Sequence, residues 1–107
     1  MFNELKDMKG LMDKAKKMKA DMENVQKELK TLTFTEYSKS KNIKITLTGE
    51  IECTELEISP EVFTPENREA VIKVLKELFN KTAKNAKDTA TQKLSSISAG
   101  LNIPGLT

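Results

Sequence analysis

Leu29-Lys30-Thr31-Leu32-Thr33-Phe34-Thr35-Glu36-Tyr37 is the stretch in which the apolar period of the chain changes. Upstream of it, Met8, Leu11, Ala15, Met18, Met22, Val25, Leu29 and Leu32 follow one another in steps of three and four. That is a heptad seam, and it predicts one long helix from about residue 3 to residue 32. Leu5 and Met12 widen the stripe near its start, and Gly10 is its one weak helix position. Downstream the period is two. Thr33 to Tyr37 is rich in β-formers, and Ile43, Ile45 and Leu47 alternate with Lys44, Thr46 and Thr48, which predicts two strands joined by a polar turn at Ser38 to Asn42. Gly49 opens a second turn. The third strand carries Ile51, Cys53, Leu56 and Ile58, whose phase slips between Cys53 and Leu56 and so requires a bulge near Thr54.

Ser59-Pro60 ends this antiparallel meander, and Thr64-Pro65 reads as an N-cap followed by proline at the first helical position. A second long helix follows. Its apolar face runs through Val71, Leu75, Leu78, Phe79, Ala83, Ala86, Ala90, Leu94 and Ile97, becoming small at the alanines, where another backbone can approach. Gly100 reads as its C-terminal cap, with Pro104-Gly105 beyond. The expectation is a single α+β domain over residues 1–107, ordered α-β-β-β-α, with 99–107 as a flexible tail.

A helix of that length is about 45 Å long, whereas a compact chain of about 100 residues has a radius of gyration near 13 Å. One end must project. Three strands are only about 15 Å wide and cannot cover the whole seam. A second copy of the chain is the simplest cover, so Met18, Met22 and Val25 are the expected dimer contacts.

With 37% apolar and 32% charged residues the composition is that of a soluble globular chain, but only 5% are aromatic, so the core must be aliphatic. No apolar run is long enough for a membrane span, and the first residues lack the order of a signal peptide, which points to the cytoplasm. The net charge of +2 divides unevenly. Residues 1–32 hold eight Lys against six acids (+2), 33–64 three Lys against six Glu (−3), and 65–107 seven Lys/Arg against four acids (+3). Basic ends around an acidic middle can attract a polyanion although the whole is nearly neutral.

Catalysis finds little support. The chain has no histidine, which removes the commonest general base and zinc ligand. Cys53, the single cysteine, has no such partner to activate it and reads as a small buried strand residue. Glu50, Glu52, Glu55 and Glu57 lack the spacing of a calcium loop and read as a solvated sheet face. The glycines stand too far apart for a phosphate loop. No cofactor, metal or small-molecule substrate is expected. Charge alone favours solvated helix faces over a nucleic-acid site for the lysines.

Several segments taken together resemble a known family. They are Leu11-Met12-Asp13-Lys14-Ala15-Lys16-Lys17-Met18, Thr48-Gly49, the strand with Cys53, Leu56-Glu57-Ile58-Ser59-Pro60, Leu78-Phe79-Asn80, and Ser96-Ile97-Ser98-Ala99-Gly100-Leu101-Asn102-Ile103-Pro104-Gly105. In order and spacing they are similar to the YbaB/EbfC family of bacterial nucleoid-associated proteins. The resemblance implies a tweezer-shaped homodimer, duplex DNA held by basic residues of projecting helices, and a role in nucleoid organisation or gene expression without catalysis. The chain departs from the family where the hairpin at Ser38 to Asn42 lacks the usual glycines and where Lys81 replaces a common acidic residue.

The individual DNA contacts are assigned here from spacing. Lys16 and Lys19 share a helical face, as do Lys84 and Lys87, and Lys17 joins the first group. The rival expectation is an adaptor that takes up another protein's helix on the methionine-rich seam. A basic helix lying on an anionic membrane is a third, disfavoured because the seam is narrow and lacks Trp.

Overall fold

The heptad seam and the alternating strands form the expected elements. The computed structural model describes residues 2–101, with the side-chain surroundings of residues 7–97. Helix α1 (Phe2–Thr31) leads into strands β1 (Thr33–Tyr37), β2 (Ile43–Thr48) and β3 (Cys53–Ile58). A 3-10 turn (Pro65–Asn67) then opens helix α2 (Arg68–Leu101). The sheet is an antiparallel meander in the order β1-β2-β3, with Phe34 opposite Leu47 and Ile45 opposite Leu56. Its pairing slips between Thr46 and Leu47, which face Glu55 and Cys53, so Thr54 is the extra residue of the expected bulge.

The core is aliphatic, as the composition requires. Ile43, Ile45 and Leu47 of β2 pack with Val71, Leu78 and Ala83 of α2, and Ile58, Val62, Val74 and Leu75 fill the margin. Helix α2 rests on β1 and β2 and does not reach across to β3 to any comparable extent. Its Lys81 and Asn85 side chains lean toward β1, where Glu36 accepts a hydrogen bond from Asn85 Nδ2 at 3.1 Å and pairs with Lys81 Nζ at 3.6 Å. On the opposite face of the sheet the Thr35 and Thr46 hydroxyls share a hydrogen bond of 2.8 Å, and Lys44 donates to Glu55 at 3.0 Å. The hydrogen bond from Lys44, reinforced by its charge, holds the Glu55 carboxyl below the usual carboxylate range. Stability from a carboxylate depressed in this way is present at neutral pH and lost as the pH falls through its folded value.

Several local expectations are corrected. Cys53 is exposed: it lies on the helix-facing side of β3, opposite buried Leu47, but outside the reach of α2. Ile51 sits in the β2–β3 turn, before the strand, with φ 66°, a left-handed conformation that is an outlier for a β-branched residue and that lets its side chain pack on the core. Thr64 precedes a 3-10 turn and makes no side-chain cap bond. Helix α2 passes through Gly100 to Leu101 rather than stopping at it, so 99–101 are helical. The remainder of the expected tail, with Pro104-Gly105, lies outside the described residues. In the β1–β2 hairpin Lys41, at φ 58°, occupies the left-handed position that a glycine would take, and the Ser38 hydroxyl, donating to Asn42 Oδ1 and accepting from Ile43 N–H, holds the turn.

The chain is 77 Å long and only 22 by 16 Å in cross-section, with a radius of gyration of 21.1 Å against the roughly 13 Å of a compact chain this size. The length comes from the two helices. They touch each other near Glu28 and Lys93, whose carboxylate and ammonium are 2.7 Å apart, and toward the N-terminal side of α1 every side chain from Asp7 to Lys17 is exposed.

Where α1 enters the sheet, Gly49 sits against Leu29. A Cβ at Gly49 falls 2.6 Å from the Leu29 carbonyl oxygen and 2.9 Å from its Cα, both backbone atoms that cannot swing aside. Gly49→Ala is therefore expected to cost about 2–3 kcal/mol through overpacking, seen as a fall of about 10 °C in Tm by calorimetry. Gly10 is the contrast, because an added Cβ meets nothing within 4 Å. Gly10→Ala should raise the helical circular dichroism of α1 without lowering Tm.

Candidate nucleic-acid interface

Every lysine that the spacing proposes is on a described helix and exposed: Lys16, Lys17 and Lys19 on α1, Lys84 and Lys87 on α2. At about 100° per residue, Lys16 and Lys19 lie within one flank of α1, while Lys17 points about 100° away from Lys16. The structure thus joins two of the three. The same flank carries Lys9, Lys27 and Lys30, all exposed, with Glu23 as the one acid inside the row. From Lys9 to Lys30 the row is about 32 Å long at 1.5 Å per residue. These three lysines were missed because only adjacent turns were compared, whereas Lys9 to Lys16 and Lys16 to Lys27 recur at seven and eleven residues.

On α2 the flank facing away from the sheet holds Lys73, Lys76, Lys84 and Lys87 within about 80°, all exposed. Lys84 is not free. Its ammonium donates to Asp88 Oδ2 at 2.7 Å, one turn along, and this hydrogen bond, with the charge of Asp88, raises its pKa above the ordinary lysine value. The proton stays bound more firmly, but part of the charge is already answered. Lys16, Lys17, Lys19 and Lys87 make no ion pair with any described residue. Lysine ammoniums on exposed stems are point charges suited to phosphates and poorly suited to reading bases.

The expected dimer contacts show a graded cover. Met18 and Val25 are half-buried and Met22 is exposed, whereas Met8, Leu11 and Met12 further out are each about three-fifths exposed. Within a single chain the outer seam faces water. No set of three or more Cys, Asp or Glu side chains among the described residues is placed to hold a metal ion. No described helix is long and apolar enough to cross a membrane. An open cleft of about 600 Å³ between the β1–β2 hairpin and α2 is edged by Lys39, Lys73 and Lys81.

The model of the YbaB/EbfC DNA-binding family matches residues 4–101, which takes in both helices and the whole meander. The chain belongs to the YbaB/EbfC DNA-binding family. Among its YbaB/EbfC relatives, a nucleoid-associated protein of Clostridium acetobutylicum is 32% identical over 94% of this chain and 89% of its own length. One from Acetivibrio thermocellus is 33% identical over the same shares. In the solved structures an uncharacterized protein of Helicobacter pylori shares the fold, with a TM-score of 0.72 at 20% identity, over 85% of this chain and 92% of that one. For this member of the family, Asp88 is the clearest electrostatic opponent of the basic flank of α2. Asp88→Asn is expected to raise affinity for duplex DNA by a few fold at low salt. The gain, measured by fluorescence anisotropy across a salt series, should shrink as added salt screens the charge at position 88.

Proposed function

We propose that two copies of this chain bind duplex DNA with little sequence preference, and so contribute to nucleoid organisation or the regulation of gene expression in a bacterial cytoplasm. The reading is supported by family membership and by relatives named as nucleoid-associated. The observation that carries it is the projecting α1, whose lysine flank stands out from an otherwise acidic meander. Phosphates are neutralised by Lys16, Lys17 and Lys19 with Lys84 and Lys87. Four of these, Lys16, Lys19, Lys84 and Lys87, take one phosphate each while Lys17 adds charge from a neighbouring face; two-fold symmetry makes about eight phosphates in the dimer, for a salt slope near −7. Lysine-only faces leave sequence discrimination to the shape and deformability of the DNA.

The copies meet, in this reading, along the seam at Met18, Met22 and Val25. Met22 is the exposed member of the three, which leaves a second chain room to cover it. The same open seam is what an adaptor would offer to a foreign helix. The two readings part on stoichiometry, since the adaptor is monomeric until its partner is added.

Changing Lys16, Lys17 and Lys19 together to Ala should weaken binding to all duplexes alike and bring the slope from near −7 to near −3 or −4, because Lys16 and Lys19 account for about four phosphates in the dimer. An unchanged affinity and slope in a protein that is still dimeric would remove α1 from the interface. Met22→Asp places a charge where the partner copy is expected, a penalty of several kcal/mol after relaxation. Sedimentation velocity should show it as a monomer at concentrations where the parent chain is a dimer.

A further inference from the structure

Away from the lysine flanks, cationic groups and apolar surface meet in the cleft between the β1–β2 hairpin and α2. At about 600 Å³ it falls in the range that takes a small organic ligand, about 300–1,000 Å³. Both walls are held by the fold. Ser38 N–H donates to the Ile43 carbonyl at 2.9 Å and its hydroxyl to Asn42 Oδ1 at 2.7 Å, while Ser59 N–H donates to the Asn42 carbonyl at 2.8 Å and ties the hairpin to the end of β3. On the other wall, at about 100° per residue, Ala70, Val74, Glu77 and Lys81 follow one flank of α2, with Lys73 at its outer edge. Ile43, Val71 and Leu78 make a buried floor between the walls, and Val62 and Val74 lie half-buried beside it.

The polar part of the lining is rich in donors. Lys39 stands on the hairpin and Lys73 on α2, neither in an ion pair with any described residue, and Lys81 has only its 3.6 Å contact with Glu36. Asn42 uses its amide oxygen on Ser38, which leaves its NH2 group to donate. Glu77 is the one acid of the lining. We propose that this cleft binds a small phosphorylated molecule of nucleotide type, its phosphates between Lys39 and Lys73 and its base against Val62 and Val74. A monocarboxylate answers only one ammonium, and a duplex backbone brings phosphates but no apolar body for the valines. A polyphosphate joined to a flat base meets both demands. The site stands apart from the proposed DNA contacts of α1. Lys19 is about 18 Å of helix from Thr31, and β1 adds about 17 Å before the hairpin in a chain 77 Å long and 22 by 16 Å across. Charges that far apart in water are screened from one another at physiological salt.

The test is an amide NMR titration of the full chain with magnesium-free ATP, set against tripolyphosphate as the head alone and adenosine as the body alone, with calorimetry for the affinities. ATP is expected to give saturable shifts at Ser40, Val62, Asn67 and Ala70, and to bind about tenfold or more tighter than either fragment. The double variant Lys39→Ala/Lys73→Ala should weaken ATP by about tenfold, the worth of two exposed charge contacts. Both lysines are exposed, so the variant keeps the parent's spectrum elsewhere. Tripolyphosphate binding as tightly as ATP reduces the cleft to a basic patch and overturns the proposal. Shifts confined to α1 around Lys16 and Lys19 overturn it too, as does the absence of any saturable shift at millimolar ATP. An ATP affinity unchanged in the double variant removes the two lysines, and with them the site.

Discussion

The approach of Gly49 to Leu29 is the constraint on which the rest depends. Helix α1 passes into β1 with only Leu32 between them, and the β2–β3 turn comes back to the same place, where Gly49 N–H donates to the Leu32 carbonyl at 3.0 Å. With no side chain at 49, the backbone of the turn lies directly on the last turn of the helix. That contact sets the direction in which α1 leaves the sheet, and a long rigid helix amplifies any change there. Over about 20 residues, or about 30 Å, a tilt of about 10° at the junction displaces the outer lysines by about 5 Å. The glycine in the Thr48-Gly49 pair is therefore required by space rather than by backbone freedom.

Much of the fold was legible because each element carries an unambiguous period. Heptad spacing over eight apolar positions admits a helix and nothing else, and the slip between Cys53 and Leu56 located the bulge because a period of two cannot absorb an extra residue silently. What the pattern could not convey is lateral position. Cys53 was expected to be buried and is exposed, although it stands on the same face of the sheet as buried Leu47. Whether a helix about 10 Å wide settles over strands one and two or over two and three depends on its flanking contacts. Here Glu36, with Asn85 and Lys81, draws α2 toward β1, and Cys53 and Leu56 are left in the open. The hairpin is a second case. Ser38 to Asn42 has no glycine, and a lysine accepts the left-handed backbone because Ser38 and Asn42 close the turn around it.

The candidate interface was legible to a lesser degree, since exposed lysines leave no periodic trace of their purpose. Exposure was right for Lys16, Lys17, Lys19, Lys84 and Lys87. Neighbourhood was not. Helical phase separates Lys17 from Lys16, and the four-residue step from Lys84 to Asp88, visible in the sequence as a favourable pair, reduces the charge on offer at that turn. Counting lysines overstates a site when acids stand one turn away, and counting only adjacent turns understates it when the row continues at steps of seven and eleven.

The net charge of the chain says little about its attraction for a polyanion, and the reason is distance. Glu50, Glu52, Glu55 and Glu57 are exposed on and beside β3, and close to a phosphate they would repel it. Lys9 to Lys19 lie ten to twenty residues before Leu29 along a straight helix, about 15–30 Å from the sheet junction, whereas charges in water at physiological salt are screened beyond about 8 Å. The outer lysines therefore act as an isolated basic segment whose field the acidic meander does not cancel. A compact arrangement of the same residues would average the two signs to near zero. The extended helix is thus an electrostatic device as well as a reach: it keeps +2 at one end and −3 in the middle from being felt at the same point.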